Sequence, residues 1–160
     1  MINGQESWNE ARLCAIVAAH KDLEGPLLPI LHAVQEAFGH VPQPAVPIIA
    51  RELNLSRAEV HGVVTFYHDY RDKPAGRHVL KICRAEACQS MGCEKTIRHV
   101  EKRLGVKLGE TTADGSFTVE PVYCLGLCAL SPAAMLDGEP YGRVTAEVAD
   151  FLIDSARRRQ

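Results

Sequence analysis

Aromatic residues are scarce in this sequence, and charge of neither sign is in clear excess. Aromatics make up 6% of the 160 residues, and the formal net charge is -2. This balance offers no electrostatic attraction to nucleic acid or to an anionic membrane. No apolar run is long enough to span a bilayer, and residues 1–9 lack the features of a secretion signal. We therefore expect a soluble, cytoplasmic protein with no nucleic-acid partner and no direct membrane contact.

Motifs for nucleotide binding and hydrolysis are also missing. The chain has no G-x-G-x-x-G segment, no P-loop and no nucleophile elbow, and its seven histidines lack the spacing of a metal-binding helix. We expect those activities to belong to other chains and assign no catalytic residue here. The length suits one full domain, or a helical subdomain joined to a compact α/β unit.

Four of the six cysteines occur as two close pairs. These pairs are Cys83-x4-Cys88 and Cys124-x3-Cys128. In a reducing compartment, cysteines serve as ligands or core residues rather than as disulfides. Thiolates are soft, anionic donors that suit an iron-sulfur cluster or a structural zinc ion. The four paired cysteines are therefore our candidate metal ligands.

The spacing of the pairs narrows the kind of metal site. Zinc ribbons usually use closer C-x2-C pairs, so structural zinc is the less favoured alternative. A plant-type ferredoxin loop needs a third cysteine where Met91 stands, and Rieske ligation needs a nearby histidine, which is missing. A redox C-x-x-C motif is absent as well. An iron-sulfur cluster fits the pattern best.

The other two cysteines are predicted to be core residues. Cys93 lies at helical spacing from Ile97, Val100 and Leu104, which places it on an apolar stripe. Cys14 adjoins the apolar run of the first predicted helix. Neither is expected to bind metal.

The N-terminal half has the apolar spacing of amphipathic helices, and we assign residues 1–71 to a helical subdomain. The capping-box pattern of residues 7–10 predicts the start of the first helix, and a second capping box begins at Ser56. Pro26 and Gly39 suit the two ends of the second helix. The predicted apolar stripes are Leu13, Ile16 and Val17; Leu27, Ile30, Leu31, Val34 and Phe38; Val46, Ile49, Ala50 and Leu53; and Val60, Val63, Val64 and Tyr67.

Beyond a turn-rich segment at 72–77 the apolar pattern changes period, and we assign residues 78–160 to a second domain. Strands are predicted at 78–82, 117–122 and 133–136, with helices ending at Gly105 and beginning after Thr145. The order β-α-β-β-α is that of a thioredoxin-like sheet, so the fold class is α+β or α/β. Both cysteine pairs would then lie in loops after strands, with Gly126 permitting a tight turn in the second loop.

A helix-turn-helix pattern indicates a different class of function. Residues 46–67 contain two helical segments joined by the turn Asn54-Leu55-Ser56. Together with a cluster, this would suggest a redox-sensing DNA-binding regulator. The second helix offers Arg57 but also Glu59, and no group of Lys or Arg to neutralise phosphates. The regulator therefore stays a distant alternative.

Several motifs occurring in order resemble the thioredoxin-like 2Fe-2S subunit family of complex I's NADH-oxidising module. The resemblance covers about Leu13 to Phe151, and it implies an N-terminal helical bundle followed by a thioredoxin-like 2Fe-2S ferredoxin domain. It assigns a 2Fe-2S cluster to Cys83, Cys88, Cys124 and Cys128. The motifs that carry it are residues 25–32, Gly39-His40-Val41-Pro42, residues 58–63, Thr65-Phe66-Tyr67 and the two cysteine pairs.

The resemblance also implies partners. A flavoprotein subunit would bind FMN and NAD and exchange single electrons with the cluster of this chain. The first cysteine loop, with Arg84-Ala85-Glu86-Ala87 and Gln89-Ser90-Met91-Gly92, departs from the threonine-rich loop of complex I. The loop is more similar to that of the gamma subunit of soluble NAD-dependent formate dehydrogenases. The catalytic subunit of those enzymes contains molybdopterin. Complex I and hydrogenase-linked diaphorase subunits are the alternatives.

Overall fold

The chain forms two compact units, each with its own apolar core. The computed structural model describes residues 7–159. The units are Met1–Pro74 and Ala75–Gln160, and the division lies within the turn-rich segment 72–77. Across residues 7–159, no helix is both long enough and apolar enough to cross a membrane.

The described part of the first unit is helical. Its helices are α1 (Glu10–His20), α2 (Leu27–Phe38), α3 (Ala45–Glu52) and α4 (Arg57–Phe66). Each helix buries one apolar stripe, as the spacing predicts. Fully buried side chains from all four helices build the core, among them Leu13, Ile30, Leu31, Ile49 and Val60.

The start of α4 confirms the predicted capping box. The Ser56 hydroxyl accepts the Glu59 N–H at 3.1 Å, and the Glu59 carboxylate accepts the Ser56 N–H at 2.8 Å. Gly39 ends α2 in the left-handed region, as predicted.

Two details of the helical prediction are wrong. The cap of α1 is Asn9, whose side chain accepts the Arg12 N–H at 3.2 Å, and not Ser7. Asparagine is as favourable an N-cap residue as serine, so Asn9 can cap a helix that begins at Glu10. Tyr67 is 44% exposed and outside the buried stripe, because α4 ends at Phe66 and the backbone becomes extended.

The second unit is a mixed sheet with helices. Its strands are β1 (His78–Cys83), β2 (Glu110–Thr111), β3 (Phe117–Val122), β4 (Ala134–Leu136) and β5 (Glu139–Tyr141), in the spatial order β2-β3-β1-β4-β5. β1 and β3 are parallel, and the other neighbouring pairs are antiparallel. The helices are α5 (Glu86–Ser90), α6 (Cys93–Leu104) and α7 (Ala146–Arg158). The predicted α and β fold class is confirmed.

The predicted element order omitted four short elements. β2, β5, α5 and the 3₁₀ helix Cys128–Leu130 have between two and five residues each, too few for a hydrophobic period to emerge. The longer elements follow the prediction. Gly105 ends α6 in the left-handed region, and the Thr145 hydroxyl caps α7 by accepting the Val148 N–H at 3.4 Å.

Candidate metal centre

The parallel pairing of β1 and β3 brings the two cysteine segments to one edge of the sheet. Cys83 ends β1 and lies opposite Val122, the last residue of β3. The carboxyl ends of parallel strands lie at the same edge, so the residues after Val122 come close to Cys83. The backbone N–H groups of Cys124 and Leu125 are among the causes that lower the pKa of Cys83, so the second cysteine loop lies close to the first candidate ligand.

The first cysteine pair is buried. Cys83 and Cys88 are each 2% exposed. Cys88 lies on the short helix α5, which corrects the prediction that it sits in a loop.

The second cysteine pair is exposed. The sulfurs of Cys124 and Cys128 lie 3.7 Å apart. Gly126 turns the loop in the left-handed region at φ 75°, as predicted, and its N–H donates to the Cys124 sulfur at 3.4 Å. Cys124 itself has φ 91°, a conformation that costs a non-glycine residue roughly 1–3 kcal/mol. Such backbone strain is concentrated at functional sites.

The surroundings of Cys83 favour an anionic sulfur. Burial of this thiol disfavours its anion, but hydrogen bonds from the Cys88 thiol and from backbone N–H groups outweigh burial and lower its pKa. Those N–H groups belong to Ala85, Cys124 and Leu125. The thiolate is the form of cysteine that binds metal.

The pKa of the second cysteine in each pair is shifted in the opposite direction, upward. Burial, followed by the hydrogen bond to Cys83, raises the pKa of Cys88. The hydrogen bond to Cys124 and the nearby Cys124 charge raise the pKa of Cys128. The Cys88 and Cys128 sulfurs thus keep protons that a bound metal would displace.

The donor set fits a binuclear cluster. The cysteines come as two pairs at one edge of the sheet. A 2Fe-2S cluster takes two cysteine sulfurs on each iron, whereas a structural zinc ion needs four ligands around one point. The paired sulfurs therefore suit a 2Fe-2S cluster better than zinc.

The two remaining cysteines differ in burial. Cys93 is 0% exposed in the same core as Cys83 and Cys88, which confirms its prediction as a core residue. Burial, with the nearby Glu94 charge, raises its pKa. The prediction for Cys14 is wrong, because this residue is exposed. The buried face of α1 carries Leu13, Ile16 and Val17, and Cys14 lies about 100° away from Leu13 around the helix.

Two groups beside the cysteines were missed from the sequence. The Arg84 guanidinium forms an ion pair with Glu94 at 2.9 Å, which joins the residue after Cys83 to α6. The Ser131 side chain lies near Cys88. Its position three residues beyond Cys128 is the sole local signal, and serine is common in turns.

The chain is similar in sequence to known proteins. Residues 13–157 match the family described as thioredoxin-like [2Fe-2S] ferredoxin. The chain is 37% identical to a subunit of the NADH-quinone oxidoreductase of Pseudomonas aeruginosa over 136 residues, which are 85% of this chain and 82% of that protein. It is 34% identical over 122 residues to the HndA protein of the NADP-reducing hydrogenase of Solidesulfovibrio fructosivorans, covering 76% of this chain and 71% of that one.

A solved structure shares the fold. The crystal structure of an NAD+-reducing [NiFe]-hydrogenase in the H2-reduced state superposes with a TM-score of 0.69 at 24% identity. The match covers 81% of this chain but 22% of the hydrogenase chain, so the shared fold is one part of a longer protein there.

Proposed function

Because the chain belongs to the thioredoxin-like [2Fe-2S] ferredoxin family, to which the 2Fe-2S subunit of complex I also belongs, we propose that it carries electrons between a flavoprotein and a larger oxidoreductase complex. Its cofactor is a 2Fe-2S cluster. The observation that carries the proposal is the convergence of two cysteine pairs, one buried and one exposed, at one edge of the sheet. Cys83, Cys88, Cys124 and Cys128 are the proposed ligands.

The chain's own residues hold and shield the centre. A bound 2Fe-2S cluster takes up and releases one electron at a time. Cys83 and Cys88 would hold the cluster from the buried core, and Cys124 and Cys128 would hold it from the exposed loop. Backbone N–H groups from the second loop stabilise negative charge on the sulfurs. The chain contributes ligation, burial and hydrogen bonding, and it moves no substrate proton.

Exposed apolar side chains beside the ligands support a protein partner. Tyr123 is 70% exposed next to Cys124, and Leu130 is 40% exposed in the turn that begins at Cys128. Met91, which follows α5, is 62% exposed. Apolar side chains at a redox centre are suited to a surface that a partner covers. We assign that partner as a flavoprotein subunit that binds FMN and NAD.

The relatives support two parent complexes. One relative belongs to an NADH-quinone oxidoreductase and another to an NADP-reducing hydrogenase, at similar identity. Either parent would place this chain beside a flavin that exchanges hydride with a nicotinamide.

NAD-dependent formate dehydrogenase is the second candidate parent, in which the chain would be the gamma subunit. The resemblance of the first cysteine loop supports it, because Arg84-Ala85-Glu86-Ala87 and Gln89-Ser90-Met91-Gly92 depart from the threonine-rich loop of complex I. Within this loop, the Gln89 side chain donates to the Arg84 carbonyl oxygen at 2.8 Å. In that parent, a molybdopterin-containing catalytic subunit would supply electrons from formate.

Reduction of the cluster through a flavoprotein tests the proposal. The purified, cluster-loaded chain is mixed anaerobically with its co-purifying flavoprotein, and visible absorbance is followed after NADH is added. We expect bleaching with the flavoprotein and none without it, because the chain has no nucleotide motif. Equal bleaching without the flavoprotein would reveal a nucleotide site in this chain and contradict the proposal.

The subunits of the native complex distinguish the parents. Affinity purification of the tagged chain is followed by mass spectrometry and by assays of NAD reduction with formate or hydrogen as donor. A molybdopterin subunit with formate activity supports the formate dehydrogenase. A hydrogenase subunit, or a membrane arm that reduces quinone, selects the corresponding alternative.

A further inference from the structure

Residues 142–144, which we term the brace, follow β5 and lie against the chain that comes after the second cysteine pair. The Arg143 N–H donates to the Leu130 carbonyl oxygen at 2.6 Å, and the Val144 N–H donates to the Pro132 carbonyl oxygen at 2.8 Å. Arg143 has φ 54°, a conformation that residues other than glycine rarely adopt. The backbone of the brace therefore contacts the turn that carries the last proposed ligand.

The brace is itself fixed to the core of the second unit. The buried Thr96 hydroxyl on α6 donates to the Val144 carbonyl oxygen at 3.0 Å, and Val144 is 2% exposed. Breaking this bond is unfavourable, because a buried carbonyl oxygen would lose its partner. The brace thus has a fixed position from which it can hold the turn.

Gly142 leaves the space that Leu130 occupies. A Cβ at Gly142 would lie 2.6 Å from the Leu130 Cβ and 3.0 Å from the Leu130 carbonyl oxygen. Gly142 is outside the left-handed region, so this position needs the missing side chain and not the free backbone of glycine. Alanine or a larger residue here would push Leu130 away from the brace.

A displacement of Leu130 would reach Cys128. Both residues belong to the single 3₁₀ turn Cys128–Leu130, and the Leu130 N–H donates to the Leu127 carbonyl oxygen at 2.8 Å. The Ser131 hydroxyl donates to the Cys128 carbonyl oxygen at 2.6 Å and closes the same turn. Because the turn is this short and this tightly bonded, a shift at Leu130 is passed on to the cysteine.

We propose that Gly142 is a positioning residue for Cys128, because the space at Gly142 allows the brace to hold the Cys128 turn where its sulfur can bind the cluster. The inference rests on the proposed function and its ligand set. Metal ligands work only when the surrounding structure holds them in place. A displaced Cys128 sulfur would bind iron less well and would change the spectrum of the cluster.

Gly142→Ala in the cluster-loaded, full-length chain tests the inference. The g values of the EPR signal are measured after reduction with dithionite, and the release of iron to EDTA is followed by absorbance. We expect shifted g values and faster iron release than in the wild type. The double variant Gly142→Ala/Leu130→Gly should return toward the wild type on both measures, because it removes the Leu130 side chain that the new methyl group would meet.

Gly76→Ala is the matched control. A Cβ at Gly76 would also be too close to its surroundings, at 2.9 Å from the Phe117 carbonyl carbon, but it lies at the end of β1 opposite to Cys83. This variant should lose stability in urea unfolding and keep the wild-type g values. Wild-type g values and iron release in Gly142→Ala would overturn the inference. The same shift of g values in both alanine variants would also overturn it, because loss of stability would then be the cause.

A second pair of variants decides the matter if Gly142→Ala does not fold. Thr96→Val keeps the side-chain shape but removes the hydroxyl that fixes the brace, whereas Thr118→Val removes a buried hydroxyl that accepts the Gly76 N–H at 2.7 Å. We expect shifted g values in Thr96→Val alone, and wild-type g values in both would overturn the inference. A wild-type chain that binds no iron would instead contradict the ligand set and the proposed function.

Discussion

At the scale of single residues, three buried cysteines have different roles although they share one core. The Cys83 sulfur accepts hydrogen bonds that lower its pKa, whereas burial and neighbouring negative charge raise the pKa of Cys93. Burial and the neighbouring Cys83 thiol raise the pKa of Cys88. Burial alone therefore does not identify a ligand. The hydrogen-bonding and charged groups around each sulfur distinguish the proposed ligands from the core cysteine.

Serine substitutions separate ligands from core cysteines. We expect Cys93→Ser to keep the cluster and to lower the free energy of unfolding by about 1–3 kcal/mol, because a hydroxyl enters an apolar core. Serine at Cys83, Cys88, Cys124 or Cys128 should lose the cluster or change its spectrum. Iron and sulfide content with visible absorption spectra provide the measurement. Loss in Cys93→Ser, together with unchanged iron content and spectrum in one of the other four variants, would refute the ligand set.

Two glycines have opposite predicted effects on stability. A Cβ at Gly76 would lie 2.9 Å from the carbonyl carbon of Phe117, which is backbone on β3 and unable to move cheaply. Gly76→Ala should lower the free energy of unfolding by about 1–3 kcal/mol. Gly62 lies within α4 and faces open space, so Gly62→Ala should raise it by about 0.5–1 kcal/mol. Denaturant unfolding measures both, and a more stable Gly76→Ala variant would show that the close approach is absent.

At the scale of elements, the capping box of α4 makes stability depend on pH. The Ser56 N–H, and after it the Ser56 hydroxyl, lower the pKa of Glu59 below its ordinary value of 4.5. A carboxyl group with a depressed folded-state pKa stabilises the protein above its unfolded pKa. That contribution is lost as the pH falls through the folded-state value.

Glu59→Gln tests this linkage, because glutamine keeps a side-chain acceptor at the same position without the charge. We expect the variant to be less stable than the wild type near neutral pH, with a difference that shrinks as the pH falls below about 4.5. Urea unfolding at a series of pH values measures it. A difference that grows toward acid pH would have the wrong sign.

Local signals explain which elements could be predicted. α2, α6 and α7 each have an apolar stripe and a recognisable end, such as Gly39, Gly105 or Thr145. β2 and β5 are edge strands of two and three residues that exist because a neighbouring strand pairs with them. Because these two strands are stabilised by hydrogen bonds to a neighbouring strand, a pattern within two or three residues cannot predict them.

At the scale of the whole molecule, the chain has two separate cores. All four proposed ligands and the core around Cys83, Cys88 and Cys93 lie in the second unit, whereas the helices α1–α4 enclose the first. The cluster site and the N-terminal helices are therefore stabilised by different apolar cores.

Separate cores predict that residues 75–160 fold and hold the cluster alone. Iron content, visible absorption and cooperative thermal unfolding of this fragment are the measurements. The fragment carrying Cys83→Ser is the control and should be colourless. An unfolded or colourless fragment, with a full cluster in the intact chain, would show that the helical unit is needed to build the site.

Much of the site was determined by the sequence itself. The two cysteine pairs, the glycine between Cys124 and Cys128, and the stripe that includes Cys93 are local spacings, and spacing decides which residues can share a turn or a helix face. The same holds for the long helices and their caps.

The tertiary structure alone decided which segments meet. The parallel pairing of β1 with β3 places Cys83 beside Cys124, and the path of the chain after Cys128 brings Ser131 to Cys88. It also decided that one pair is buried and the other exposed, and that Cys14 faces outward. These outcomes depend on which faces the folded units cover, and a residue's own neighbours in sequence carry no information about distant backbone that packs against it.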